Sequence, residues 1–319
     1  MLVTSYESRG EFMTRQLAGC FVALFAMIAA SAAFASEIHR ETVASRSLGQ
    51  DMPFLVYVPD GYVESTENYP VLYLLHGIGD NEKTWTERAG LQAKADKLIA
   101  TGIIPRALIV MPGCSRCWWT DSGKEKAETA FWSDLVPAVT SRYRTIDRRE
   151  GRVIAGLSAG GYGALHLALK YPDRFAAAAA FSPAIYAETP PAASAARTSG
   201  AFLGTDGQFN LAVWTEQNYP RLLGRYFEQP KRVPLYLVSG DNDRLGIAFE
   251  AALCFKRLFE KQPELVELRV VDGDHSWAVW SNAVDDAMAY LFRFTDRPQI
   301  AARPSRNGLA QSAPYPPSP

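Results

Sequence analysis

The segment with the clearest chemical potential is 152–163, which reads Arg-Val-Ile-Ala-Gly-Leu-Ser-Ala-Gly-Gly-Tyr-Gly. An apolar run precedes Gly156 and a helical pattern of leucines follows Gly160, so Ser158 is predicted at a tight turn between a strand and a helix. Glycines permit such a turn because they carry no Cβ atom. This Gly-x-Ser-x-Gly context is typical of a serine nucleophile. A small-residue turn that happens to hold a serine is the alternative.

A serine nucleophile needs a general base, and the chain has four histidines. His39 lies near the predicted start of the mature chain, His76 follows a different strand, and His166 lies further along the nucleophile helix. His275 lies in a loop between the last predicted strand and the last predicted helix. In the chain order nucleophile, acid, base, the histidine comes last, as His275 does. Imidazole suits proton transfer because its ordinary pKa is near neutral. We therefore predict His275 as the base, with a surface-loop histidine as the alternative.

The acid that orients the base is expected in the loop after the strand ending at Ser239. Asp241 and Asp243 both qualify. Asp243 is favoured because the turn at Gly240 leaves it room to point back towards the sheet edge. An N-cap of the next helix is the alternative for either residue, and Asp272 and Asp274 are weaker alternatives for the acid.

Two backbone amides are predicted to form an oxyanion hole. The Ala159 amide follows the nucleophile at a helix N-terminus, where developing negative charge is favoured. The second donor is expected after the strand 71–75, and we nominate the Ile78 amide. Gly77 and Gly79 would let this backbone approach a substrate closely. An ordinary turn at the end of the strand is the alternative.

Five tryptophans fall in or beside the loops predicted at the sheet edge that carries Ser158: Trp85, Trp118, Trp119, Trp277 and Trp280. Flat aromatic side chains suit a sugar ring or an aromatic acyl group. Trp85, Trp119 and Trp277 are therefore predicted to bind substrate, and hydrophobic packing beneath the loops is the alternative.

The predicted elements alternate between strands and helices. Continuous apolar runs at 71–75 and 107–111 predict strands buried on both faces, and 54–58, 152–157, 175–181, 234–239 and 264–271 predict further strands. Helical patterns cover 91–101, 129–143, 245–260 and 277–294. This alternation predicts an α/β fold with a mostly parallel central sheet of about eight strands and helices on both faces. Residues 183–230, rich in Ala, Pro, Gly and aromatics, interrupt the alternation and are predicted to form an inserted lid-like segment.

The termini are predicted to lie outside this domain. Residues 1–35 are interpreted as upstream residues followed by a cleaved signal peptide, because a short basic stretch precedes an apolar run that ends in Ala33-Phe34-Ala35. An uncleaved membrane anchor is the alternative. The α/β domain is predicted at 36–297, and the proline-rich tail at 298–319 is predicted to be disordered.

The composition and charge of the chain limit the classes of partner that are expected. With 319 residues, 48% of them hydrophobic, the chain can bury a full core. A formal net charge of -1, from 33 basic and 34 acidic residues, suggests neither a nucleic-acid nor an acidic-membrane partner. In an exported chain Cys114 and Cys117 are candidates for a local disulfide, since no second ligand pair for zinc is visible. No metal or organic cofactor is implied.

Several motifs resemble the esterase D-like, feruloyl-type branch of the α/β-hydrolase superfamily. They are 74–80 (Leu-Leu-His-Gly-Ile-Gly-Asp), 156–164 (Gly-Leu-Ser-Ala-Gly-Gly-Tyr-Gly-Ala), 167–175 (Leu-Ala-Leu-Lys-Tyr-Pro-Asp-Arg-Phe) and 273–277 (Gly-Asp-His-Ser-Trp). The resemblance covers about residues 54–294. It implies an α/β-hydrolase fold, with Ser158, Asp243 and His275 as catalytic triad and the Ile78 and Ala159 amides as oxyanion hole. The disulfide loop is not implied by it.

These features predict a serine esterase that acts through an acyl-enzyme. Its expected location is periplasmic or secreted. Its expected substrate is a small-molecule or glycan-linked ester, either carbohydrate-linked or aromatic (feruloyl or acetyl). Three alternatives stay open. They are an acyltransferase similar to the mycolyltransferases, an esterase of the S-formylglutathione or enterochelin type, and a non-catalytic binding protein. After signal cleavage no membrane association is expected.

Overall fold

The computed structural model describes residues 36–114, 116–122 and 125–300. The predicted signal peptide and residues 301–319 of the predicted tail lie outside the described residues. The strands are β1 Glu37–Ser45, β2 Gln50–Val58, β3 Glu67–Asn68, β4 Val71–Leu75, β5 Leu108–Pro112, β6 Arg152–Leu157, β7 Ala177–Phe181, β8 Leu235–Gly240, β9 Val266–Val271 and β10 Gln299–Ile300. The α-helices are α1 Thr84–Ala89, α2 Leu91–Ala100, α3 Ala127–Ala130, α4 Val136–Arg142, α5 Ala159–Lys170, α6 Leu211–Gln217, α7 Tyr219–Glu228, α8 Ile247–Phe259 and α9 Trp277–Phe292.

Eight of these strands form one sheet in the order β1-β2-β5-β4-β6-β7-β8-β9. Pairing is antiparallel between β1 and β2 and between β2 and β5, and parallel across the rest of the sheet. Every residue of β4, β5, β6, β7 and β8 is buried, as expected of strands covered on both faces. The predicted α/β class and mostly parallel sheet are confirmed.

Helices cover both faces of the sheet and form two apolar cores. One core lies against α3, α4, α5, α6, α7 and α8, and the other lies against α1, α2 and α9. Because parallel strands share a direction, the turns after β4, β6 and β8 meet at one edge of the sheet, and the segments that hold the predicted site residues therefore converge there.

The segment predicted as lid-like is more regular than its composition suggests. It contains helices α6 and α7, which the sequence pattern did not predict, and two short 3-10 turns at Ala195–Arg197 and Gly200–Phe202. Asn210 caps α6 by accepting hydrogen bonds from the amides of Ala212 and Val213, at 2.9 and 3.1 Å. This cap is a local signal that the Ala- and Pro-rich composition masks.

Two other boundaries differ from the sequence prediction. The helix expected at 129–143 runs as α3 and α4 joined by a π-helical stretch, Phe131–Leu135. The tail expected to be disordered from 298 begins with β10, which pairs antiparallel with β3. No helix among the described residues combines the length and apolarity needed to cross a membrane.

Candidate active site

Ser158 lies on the turn between strand β6 and helix α5, with φ 53° and ψ −115°. Few non-glycine residues adopt such a positive φ, and residues held this way are concentrated at functional sites. The two flanking glycines have no room for a side chain. A Cβ atom on Gly156 would lie 2.3 Å from the Gly160 carbonyl oxygen, and one on Gly160 would lie 2.4 Å from the His76 carbonyl oxygen. The tight turn therefore requires glycine at both positions.

His275 stands between Ser158 and Asp243. Its Nε2 lies 2.9 Å from Ser158 Oγ and its Nδ1 lies 2.7 Å from Asp243 Oδ2. Because a carboxylate only accepts hydrogen bonds, a neutral ring carries its proton on Nδ1, and its Nε2 accepts a hydrogen bond from the serine hydroxyl. The Asp243 side chain is fully buried, whereas 22% of the His275 side chain is exposed. His275 is thus within hydrogen-bond distance of each of the other two residues predicted as a triad.

Asp243 and Asp241 have different partners in the structure. Besides His275, Asp243 accepts the Leu245 amide at its other oxygen, at 2.9 Å. Asp241 is exposed and accepts the Gly273 amide at 3.1 Å, so it fastens the loop that carries His275. Neither aspartate is an N-cap of α8, which begins after Gly246.

The two residues whose amides are predicted to form an oxyanion hole flank the nucleophile turn. Ala159 is the first residue of α5, and the loop that carries Ile78 passes close to the nucleophile, since a Cβ atom on Gly77 would lie 3.3 Å from Ser158 Cβ. Among the described residues, neither the Ile78 nor the Ala159 amide has a protein acceptor. Two free amides beside the serine suit a developing oxyanion.

His76 is a buried anchor for this loop. Its Nδ1 donates to the Gly77 carbonyl at 2.7 Å, and its Nε2 accepts the Cys114 amide at 2.9 Å. Trp119 donates its indole N–H to the His76 carbonyl at 3.3 Å. Burial lowers the pKa of His76 to about 4, so the ring is neutral at neutral pH. The structure also joins Cys114 to Cys117 as a disulfide.

The tryptophans predicted to bind substrate are differently exposed. Trp85 and Trp119 are buried, with 1% and 0% of their surface exposed, and Trp277 alone of the three is partly exposed. Trp85 donates its indole N–H to the Leu75 carbonyl at 3.1 Å. In this structure Trp85 and Trp119 offer no face to a ligand, so for these two the packing alternative is correct. Trp85 packs against Phe181 and Trp277, and Trp119 packs against the ring of His76.

A second buried polar cluster ties helix α5 to its surroundings. Glu128 accepts from His166 at 2.9 Å and from Lys170 at 2.6 Å, and it also accepts from the Tyr171 hydroxyl. Burial alone would raise the pKa of Glu128, but the hydrogen bonds and charge of His166 and the bonds from Lys170 and Tyr171 outweigh it and hold the pKa at about 2. His166 is therefore committed to a carboxylate away from Ser158.

The same part of α5 contacts the segment 183–230. The hydroxyl of Tyr162 donates to the Gln217 carbonyl at 2.7 Å, and His166 Nδ1 lies 3.1 Å from the same oxygen. The rings of Trp118, Tyr162, Phe202 and Trp214 pack there at centroid distances of 4.8 to 6.5 Å. The segment is thus fastened to the nucleophile helix by both apolar and polar contacts.

An open cavity of about 710 Å³ borders the exposed side of His275. Three of its lining residues, Asn242, Arg244 and Asp274, are polar and exposed, and Leu245 adds a partly buried apolar side chain. The cavity therefore presents hydrogen-bond donors and acceptors beside the imidazole. The described residues contain no group of three or more potential metal ligands.

Two residues beside the site were not among the predicted site residues, although Trp280 was one of the five tryptophans noted near this edge. Trp280 packs against His275, and Ser182, at the end of β7, accepts the Trp280 indole N–H at 3.0 Å. The spacing of Trp277 and Trp280 on the first turn of α9 is a sequence signal for Trp280. No local pattern marks Ser182.

The parallel sheet, the strand–turn–helix elbow at Ser158 and the late histidine loop define an α/β-hydrolase. The sequence model of the Esterase family matches residues 45–291, and the chain belongs to that family. The predicted resemblance is therefore confirmed.

Individual relatives agree with this assignment. The chain is 34% identical over 147 residues to the endo-1,4-beta-xylanase/feruloyl esterase of Xylanibacter ruminicola. This match covers 43% of this chain and 20% of that protein. It is 24% identical over 241 residues to the acetyl esterase of Caldicellulosiruptor saccharolyticus, covering 72% and 86%. The match to two Mycobacterium tuberculosis esterases spans 28% of their length. The solved structure of a ferulic acid esterase superposes with a TM-score of 0.68 at 26% identity, covering 82% of this chain and 99% of that one.

Proposed function

We propose that the chain is a serine esterase that works through an acyl-enzyme on Ser158. The observation that carries this proposal is the hydrogen-bonded order Ser158, His275, Asp243 beside two free backbone amides. Such an arrangement supplies a nucleophile, a base, an orienting carboxylate and donors for an oxyanion.

In the proposed reaction, Ser158 Oγ attacks the ester carbonyl carbon while His275 Nε2 takes the hydroxyl proton. The carbonyl oxygen becomes an oxyanion that accepts hydrogen bonds from the Ile78 and Ala159 amides, and the N-terminus of α5 favours its charge. The intermediate collapses, the alcohol leaves with the proton from His275, and the acyl group stays on Ser158. Water then attacks the acyl carbon while His275 takes a proton from it, and Ser158 Oγ leaves with that proton from His275, which releases the acid and restores the enzyme. Asp243 stabilises the imidazolium in both halves.

We further propose that the substrate is a carbohydrate-linked or aromatic ester. The cavity beside His275 supports a hydroxylated leaving group, because Asn242, Arg244 and Asp274 offer both donors and acceptors at its rim. The partly exposed Trp277 remains a candidate for stacking on a flat group. Relatives named for feruloyl and acetyl esters agree with this class. We propose a periplasmic or secreted location, which rests on the signal-peptide pattern of the sequence.

The test is hydrolysis of p-nitrophenyl acetate, butyrate and ferulate by the purified protein and by Ser158→Ala. Ser141→Ala is the matched control, because Ser141 is exposed on α4 and bonds only to the Ala138 carbonyl at 3.0 Å. We expect hydrolysis and fluorophosphonate labelling in the wild type and in Ser141→Ala, and neither in Ser158→Ala. Hydrolysis that survives in Ser158→Ala would refute the proposed nucleophile, and failure of all esters with folded protein would refute the proposed substrate class.

A further inference from the structure

Three tryptophans form a row that runs from the end of strand β4 to the imidazole of His275. The ring centroids of Trp85 and Trp277 are 5.1 Å apart, those of Trp277 and Trp280 are 5.5 Å apart, and those of Trp280 and His275 are 5.0 Å apart. At each contact the ring planes are nearly perpendicular, at 81°, 81° and 85°. This is a favourable arrangement for aromatic rings at such distances.

Hydrogen bonds fasten the row at two points. The indole N–H of Trp85 donates to the Leu75 carbonyl, at the end of the strand that leads into the Ile78 loop. The indole N–H of Trp280 donates to Ser182 Oγ at 3.0 Å. Ser182 is itself fully buried, has φ 37°, and donates its amide to the Val238 carbonyl at 2.7 Å. A non-glycine residue keeps such a backbone only where its surroundings enforce it, so Ser182 is a fixed acceptor for Trp280.

His275 needs support from a third direction. Its two hydrogen bonds, to Asp243 and Ser158, lie in the ring plane at the two nitrogens, so the ring can still tilt about the line that joins them. Its loop also contains Gly273, at φ 137°, and the side chain is partly exposed. A perpendicular ring packed against the imidazole opposes this tilt, and Trp280 is only 6% exposed and hydrogen-bonded in place.

We propose that Trp280, held by Ser182, is a positioning residue for His275, and that Trp277 and Trp85 connect this support to the strand carrying the oxyanion loop. The inference rests on the proposed function, because it concerns the base of that reaction. It gives the row a mechanical role in aligning the base with the oxyanion amides, which differs from the substrate stacking expected from the sequence.

The experiment compares Trp280→Leu, Trp280→Phe and Ser182→Ala with the wild type. Trp132→Leu is the control for loss of a packed tryptophan, because Trp132 is partly buried and packs against Phe131 and Phe175 in the other core. The measurements are kcat and KM on p-nitrophenyl acetate, thermal unfolding, and the low-field proton resonance of the His275–Asp243 hydrogen bond.

In Trp280→Leu we expect kcat to fall about tenfold with little change in KM, since an aromatic pair is worth up to about one factor of ten. The low-field resonance should broaden or disappear through exchange with water. Trp280→Phe keeps a ring and should recover most of the loss. Ser182→Ala and Trp280→Phe remove the same hydrogen bond, so the double variant should be no slower than the slower single variant. Trp132→Leu should keep the wild-type kcat and resonance.

An unchanged kcat or an unchanged resonance in Trp280→Leu would overturn the proposal. So would an equal fall of kcat in Trp132→Leu at equal loss of thermal stability. If Trp280→Leu does not fold, the double-variant cycle of Ser182→Ala and Trp280→Phe decides, and additive effects count against the proposal. If the wild type hydrolyses no ester, the proposed function fails separately, and the resonance in the variants still tests whether Trp280 holds His275.

Discussion

The backbone amide of Cys114 donates to Nε2 of His76 at 2.9 Å, inside the core. The same ring donates from Nδ1 to the Gly77 carbonyl, so both nitrogens of a neutral imidazole are used and a second ring proton would find no acceptor. One buried histidine therefore joins the disulfide loop to the loop that carries the Ile78 amide, and the arrangement depends on that histidine staying neutral.

The first prediction concerns the acid stability that follows from His76. Its pKa is about 4 in the folded protein and about 6.5 when unfolded, so between these values the unfolded state binds a proton that the folded state does not. The contribution of the neutral His76 ring to the free energy of unfolding is fully present above pH 6.5. It is lost as the pH falls to 4, by about 1.4 kcal/mol per pH unit. When the free energy of unfolding in urea is measured at several pH values between 4 and 6.5, its slope against pH should be shallower in His76→Gln than in the wild type. Equal slopes in wild type and His76→Gln would contradict the prediction.

The second prediction separates the two aspartates of the β8 loop. Asp243→Asn keeps the shape but replaces the acceptor at His275 Nδ1 with a group that can favour the wrong tautomer, so we expect kcat to fall by about 10⁴. Asp241→Asn keeps an oxygen to accept the Gly273 amide and should stay near the wild-type kcat. Steady-state kinetics on p-nitrophenyl acetate provide the measurement. Similar losses in both variants would show that loop anchoring, and not tautomer control, is what Asp243 supplies.

The third prediction tests the space at the nucleophile turn. In Gly160→Ala the new methyl would lie 2.4 Å from the His76 carbonyl oxygen and 2.7 Å from that of Leu75. Both atoms are backbone, so the strand end must shift, and we expect the free energy of unfolding to fall by about 1–3 kcal/mol together with a loss of kcat. Gly224→Ala is the control. Gly224 lies within α7 with no atom near the added methyl, and alanine should raise stability there by about 0.5–1 kcal/mol. Denaturant melts of the two variants should therefore move in opposite directions, and a neutral Gly160→Ala would argue against the tight turn.

The fourth prediction concerns the buried carboxylate of Glu128. Glu128→Gln leaves His166 and Lys170 without their anionic partner, so at pH 7 we expect a loss of about 3–5 kcal/mol in the free energy of unfolding. The pKa of Glu128 is held at about 2, below its ordinary value of 4.5, so its contribution is present above pH 4.5 and disappears as pH falls towards 2. The gap between wild type and variant should accordingly close in acid. Glu64→Gln, at an exposed position, should show no gap at any pH; a gap in Glu128→Gln that is independent of pH would contradict the ionic explanation.

Much of the architecture could be predicted from the sequence because the relevant signals are local. A continuous apolar run predicted β4 at its observed bounds, 71–75, and the change from an apolar strand to a glycine-flanked serine and a leucine-patterned helix placed the turn at Ser158. The alternation of strands and helices predicted a mostly parallel sheet, since parallel strands need helical crossovers. The requirement for glycine at 156 and 160 could be predicted for a related reason, because a tight turn from a strand to a helix leaves no space for side chains beside the serine.

Only the tertiary structure decided which side chains meet. Ser158 and His275 are 117 residues apart, and the choice between Asp243 and Asp241 depends on how two loops from neighbouring strands approach each other. Trp85 and Trp119 were predicted from the sequence to bind substrate, but both are buried in the structure. Trp85 packs against Phe181 and Trp277, and Trp119 packs against His76, contacts that no local pattern reports. The support of His275 by Trp280 and Ser182 has no counterpart in periodicity or spacing. Periodicity reports which face of an element is buried, whereas contact between distant side chains is a property of the packed chain as a whole.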